Sequence, residues 1–177
     1  MMKEGDVILV MGTSPISKFL KYVVGMQVSH AAIYLGKGKM LEALYGTNKV
    51  VISPIDNLKK ERLVVVRKPY YLDGGHAGMI ALRYLGVMYD RKQMWTLGLY
   101  FLFRKFGLDL PFLIEDNNAR FVCSDLVCSV YKHYGYRFSK DCTPQYFLDS
   151  LRFETIFDSR KNDLSLLFAN VQNEEWL

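Results

Sequence analysis

The chain has 177 residues, the length of one ordinary domain, with 50% apolar and 23% charged residues. That balance excludes a disordered or collagen-like chain, and a domain of this length can bury enough surface to fold without a metal or disulfide staple. Twenty-three Lys and Arg against eighteen Asp and Glu leave a net charge of +5, which is too mild to select an anionic partner.

Nothing divides residues 1–177: there is no repeat, no low-complexity stretch and no Pro/Gly/Ser-rich linker, so a single domain is expected. The opening, MMKEGDVILVMGTSP, has a short apolar run after an acidic residue and no small-residue cleavage site. It reads as a first strand and not as a signal peptide, which favours a cytoplasmic location. Ser14-Pro15 supplies a cap followed by a first-turn proline, and Gly25 a stop, so a helix is expected over 15–24. Strands over 28–35 and 40–45 flank Gly36-Lys37-Gly38-Lys39, a hairpin signal, and 50–53 and 63–67 are further strands. The second half changes period. Helices are expected over 77–85, 91–106 and 121–134, the last ending at Gly135, and Thr143-Pro144 opens another. Strands first and helices later, without alternation, argue for an α+β fold with an antiparallel sheet packed against helices.

The apolar stretch 94–103 is about half a membrane span and is closed by Arg104 and Lys105. Its Trp95, Leu97, Leu99, Tyr100 and Phe103 suit either a core helix or a wall for an acyl chain. Peripheral contact with a membrane or cell wall is the most this pattern allows.

Of three histidines, His76 lies in a Gly-rich loop or helix start and His133 near a polar helix end. His30 differs: it interrupts an apolar strand, where a polar ring must find partners. An odd hairpin loop such as Leu35-Gly36-Lys37 puts position 30 directly opposite Glu42, on one face, whereas an even loop separates them. Cys123 begins the strongest late helix. Free N–H groups, the helix dipole and a neighbouring imidazolium would favour its thiolate there, and the same N–H groups suit an oxyanion. A plain core cysteine is the alternative, because Cys123, Val127, Val130 and Tyr134 share one helical face. Cys128 reads as structural, Cys142 has no evident partner, and three cysteines show no disulfide framework, which points to a reducing setting. Cys123, Cys128, His133 and Cys142 lack the paired spacing of a zinc site, so no metal or other cofactor is expected. No P-loop, dinucleotide fingerprint or serine elbow occurs.

Taken together, Gly5-Asp6-Val7-Ile8-Leu9, the segment 28–36 with Ser29-His30-Ala31, and Leu41-Glu42-Ala43 resemble the first half of a permuted papain-like hydrolase. Gly86-Val87-Met88-Tyr89-Asp90, Val122-Cys123-Ser124-Asp125-Leu126 and Thr143-Pro144 extend the resemblance, over residues 5 to 147, to the YiiX-like branch of the NlpC superfamily. Asp125 stands where that branch usually has Glu. The resemblance implies a permuted papain-like (NlpC-type) fold with Cys123 as nucleophile at a helix N-terminus, His30 as base and Glu42 as orienting carboxylate. Permutation places the histidine before the cysteine, since such a site is defined by geometry and not by chain order. Tyr89 is a candidate second oxyanion donor or substrate contact, with a buried structural tyrosine as the alternative, and Ser124 is a candidate substrate contact.

The expected function is a cysteine amidase or peptidase working through an acyl-enzyme on a small-molecule, peptide or acyl-amide substrate, such as a peptidoglycan-type peptide. No nucleic acid is expected as a partner. A lipid acyl hydrolase or acyltransferase, and a non-catalytic cell-wall or phage-associated binding module, are the alternatives.

Overall fold

The computed structural model describes residues 2–61, 63–69, 74–108, 120–138 and 142–172. Strand β1 (Val7–Met11) is VILVM and is buried throughout, as a continuous apolar run must be when both faces are covered. After it, Ser14 accepts from the Ser17 N–H, helix α1 (Pro15–Phe19) runs on into a π-helical turn (Leu20–Val24), and Gly25 closes the segment at φ 86°. Strands β2 (His30–Gly36), β3 (Lys39–Leu44) and β4 (Lys49–Pro54) form a meander. A 3₁₀ segment (Ile55–Lys60) then leads to β5 (Leu63–Pro69).

Helix α2 (Gly74–Leu82), the short strand β6 (Met88–Tyr89) and helix α3 (Arg91–Lys105) follow. Two-residue β7 (Arg120–Phe121) leads through Val122 into α4 (Cys123–Lys132). Helix α5 (Pro144–Asp149) is capped by Thr143, whose hydroxyl accepts from the Tyr146 N–H at 3.1 Å. Strand β8 (Phe153–Asp158) and helix α6 (Leu164–Gln172) complete the described chain.

The eight strands form one sheet in the order β7-β6-β4-β3-β2-β1-β5-β8, antiparallel except for the β6–β7 pair. Thus the α+β expectation holds. Two features were not expected from sequence: β8 returns late in the chain to pair with β5, and β6 and β7 add an edge to β4.

Alternation along the strands divides the core. Val7, Leu9, Ala31, Ile33, Leu41 and Val65 pack under α2, α4 and α5 with Leu126, Val127 and Phe147. Ile8, Val10, Ala32, Tyr34, Met40 and Val66 face the 3₁₀ segment and α6. Phe147 is fully buried, with ring centroids of Phe138, Tyr146 and Phe153 at 5.7, 5.7 and 5.4 Å. Phe147→Ala is expected to cost about 3–5 kcal/mol in a denaturant titration, because this aromatic cluster cannot close over the cavity.

Helix α3 answers the core-or-wall question residue by residue. Tyr100 is buried, Trp95 and Leu99 are exposed, and Leu97 lies outside the residues whose side chains are described. Among the described residues no helix is long and apolar enough to cross a membrane.

Candidate active site

The β2–β3 hairpin decides where His30 and Glu42 meet. Its turn holds two residues, Lys37 and Gly38, both with positive φ (47° and 66°), the backbone of a type I′ turn. An even turn alone would put Glu42 on the far face. However, the register shifts between Tyr34 and Gly36, where one extra residue restores the parity, and Ala32 becomes the partner of Glu42. The expectation of position 30 directly opposite 42 is therefore corrected. His30 lies two residues along, diagonal to Glu42 and on the same face. The His30 Nε2–H donates to Glu42 Oε2 at 2.8 Å, with the ring 24% exposed and the carboxylate 5%.

Cys123 is the first residue of α4, preceded by Val122 in extended conformation (φ −87°, ψ 167°). The Asp125 carboxylate accepts from the Val122 N–H at 3.2 Å and ties the helix start, so Asp at this position still caps. Helix α4 packs on β2 and β3, which brings its first residue to the end of β2 where His30 begins. There the imidazole and Cys123 line one cavity, close enough for the charge of Cys123 to act on the ring. Burial lowers the His30 pKa, but charge and hydrogen bonding from Cys123, then from Glu42, outweigh it and carry the pKa up to about 10. Burial pushes the Glu42 pKa up, yet the His30 bond and charge, helped by Ser53, bring it below its ordinary value.

Tyr89 reaches the same place by a different route. Strand β6 pairs in parallel with β7, which is separated from the start of α4 by Val122 alone, so Tyr89 sits beside Phe121 and close to the nucleophile. Burial first, then the charges of Cys123 and Asp125, push its hydroxyl pKa well up, so Tyr89 stays a hydrogen-bond donor. Its ring meets Tyr45 edge-on at 5.9 Å.

Cys123, His30, Glu42, Tyr89 and Tyr45 line one cavity of about 480 Å³ together with Gly12, Ser14, Ser17, Ser29, Asn57 and Glu61. Ser124 is buried and is not among the lining residues, because the helical turn swings it about 100° away from Cys123. A substrate contact through Ser124 is therefore not supported. Several of these lining residues were missed from sequence: Ser14 read only as a helix cap, and Ser17, Asn57 and Glu61 were not singled out.

Elsewhere the thiols differ from expectation. Cys128 and Cys142 are joined as a disulfide, with Cα atoms 6.6 Å apart, and Cys123 is the free cysteine. Cys142 lies just before α5 and beside α4, a placement that cysteine counting does not register. The expectation that Cys142 has no partner is corrected: it sits against Cys128. His76 and His133 are exposed, and His133 Nδ1 bonds the Ser129 carbonyl at 2.9 Å.

No protein-family model matches the chain, and no curated protein matches it. Among solved structures it is similar to the metalloprotein yiiX from Escherichia coli O157:H7, with a TM-score of 0.63 at 19% identity. The match covers 88% of this chain and 96% of that one. The fold is therefore YiiX-like. The word metalloprotein belongs to that neighbour. Among the described residues here, no group of three or more His, Cys, Asp or Glu side chains is placed to hold a metal ion.

Proposed function

We propose that this is a cysteine-dependent hydrolase of permuted papain-like type, cleaving an amide or ester through Cys123, His30 and Glu42. The observation that carries the reading is the His30 ring bonded to Glu42 at 2.8 Å and sharing with Cys123 one cavity of about 480 Å³. His30 takes the thiol proton and Glu42 holds the imidazolium. The thiolate forms a bond to the substrate carbonyl carbon, whose oxygen becomes an oxyanion at the α4 N-terminus. The C–N or C–O bond then breaks, the leaving group departs with the His30 proton, and an acyl-Cys123 thioester is left. His30, now neutral, removes a proton from water, which displaces the acyl group and regenerates the thiol. Tyr89 is the proposed second oxyanion donor.

The test uses intact-mass and peptide mapping. Iodoacetamide without reductant should place one carbamidomethyl group, on Cys123, because Cys128 and Cys142 are tied together. p-Nitrophenyl acetate should leave a transient acetyl group on the same residue. Unreactive Cys123 with no acetyl adduct would favour a binding module instead.

A further inference from the structure

Helix α3 has an apolar side that the protein leaves exposed. From Met94 to Phe103 the only polar side chain is Thr96. A helix apolar all round is ordinarily buried, in a core or in a membrane. Here one side is packed inward, with Tyr100 buried. On the other, Trp95 is 59% exposed and Leu99 46%, and Phe106, just past the helix end, is 74% exposed. Positions 95 and 99 lie one turn apart and 106 two turns further on, so the three continue one stripe. The π-helical turn Leu20–Val24 packs against α3 and widens the patch, because Phe19 and Tyr22 are exposed as well.

Charge selects what covers this face. Residues 15–24 and 91–105 hold Lys18, Lys21, Arg91, Lys92, Arg104 and Lys105 and no Asp or Glu. That is +6 on two neighbouring elements of a chain whose total is +5, so the rest of the chain is nearly neutral. All of these whose side chains are described are exposed, and the Lys21 ammonium lies 5.6 Å from the Tyr22 ring centre. A second copy docked through the same face would set like charges against one another. A nucleic-acid duplex matches the charge but offers Leu99 and Phe106 nothing apolar.

We propose that α1, the π-helical turn and α3 form a docking face for an anionic lipid bilayer. Tyr22, Trp95, Leu99 and Phe106 enter the headgroup boundary, and the basic side chains around them meet lipid phosphates. The face borders the catalytic cavity: Ser17 of α1 lines it, and α3 begins two residues after Tyr89, which lines it too. Docking therefore holds the cavity beside the membrane surface. It goes beyond the cysteine-hydrolase reading and does not depend on it.

Flotation of the full chain with vesicles tests the face. Vesicles of phosphatidylcholine mixed with phosphatidylglycerol should bind it, those of phosphatidylcholine alone far less, and added sodium chloride should weaken the binding. Lys18→Gln with Lys21→Gln should weaken it by about thirtyfold, at about fivefold for each basic residue near an anionic surface. Trp95→Ser should weaken it too, and both variants should melt close to wild type because the altered side chains are exposed. In Trp176→Phe, Trp95 is the one tryptophan left, and mixed vesicles should shift its emission to the blue. Mixed vesicles that do not bind, that bind the lysine variant equally, or that leave Trp95 emission unchanged would overturn the proposal. So would self-association, or binding of a DNA duplex, in place of vesicle binding. Labelling of Cys123 is read separately: vesicle binding without it fails the hydrolase alone, and labelling without vesicle binding fails the docking face alone.

Discussion

Replacing His30 by alanine should lower turnover of p-nitrophenyl acetate by roughly 10²–10⁴-fold, the range that a positioned acid–base group contributes. Cys123→Ala should take it to the rate of the buffer alone. Folding has to be followed beside the rates, because His30→Ala strands the buried Glu42 carboxylate, and breaking such a pair by removing one partner costs about 3–5 kcal/mol. His30→Gln, which can still donate to Glu42, separates the effects: it should melt closer to wild type and yet be as slow as His30→Ala. Recovery of turnover in His30→Gln would remove the base role from His30.

How far these residues were legible in the sequence follows the range of the interactions that place them. Short-range chemistry reads well. Ser14-Pro15 and Thr143-Pro144 start helices because a side-chain oxygen and a fixed φ act within one turn, and the two caps are seen at Ser17 N–H and Tyr146 N–H. The pairing of His30 with Glu42 was reached through the right face but the wrong count. A two-residue turn and a one-residue irregularity compensate, and parity alone cannot tell that combination from a three-residue loop.

Long-range placement reads poorly. β8 pairs with β5 across some ninety residues of chain, and the Cys128–Cys142 link depends on the stretch before α5 lying beside α4. Glu61 shows the limit most clearly. In sequence it is one member of a charged run of the kind that ordinarily faces water, and only the 3₁₀ segment turns its Oε2 inward to the cavity. Local propensity carries no information about which member of such a run is turned inward.

Glu42→Gln should lower p-nitrophenyl acetate turnover by roughly ten- to ten-thousandfold while the protein stays folded, since the amide keeps the volume but loses the charge that holds the imidazolium. The pH dependence of stability makes this specific. His30 has its pKa raised from 6.5 to about 10, so its contribution is complete below about 6.5 and is lost as pH rises through about 10. Glu42 has its pKa lowered from 4.5, so its contribution is complete above about 4.5 and is lost as pH falls through the lower folded value. Together they predict greatest stability from this pair between about 4.5 and 6.5, with decline on both sides. Glu42→Gln should erase the acid-side decline that belongs to this carboxylate and move the alkaline decline to lower pH, because the Glu42 charge that raises His30 is gone while the amide oxygen still accepts its hydrogen bond. The His30 imidazole carbon resonances, followed by NMR across the same range, give the site-specific reading. Burial depresses His30, and Cys123 stands ahead of Glu42 among the influences opposing it, so Cys123→Ala should lower the midpoint further than Glu42→Gln does. A His30 midpoint that neither variant moves would mean that the ring is held by other groups, and would dissolve the three-residue site.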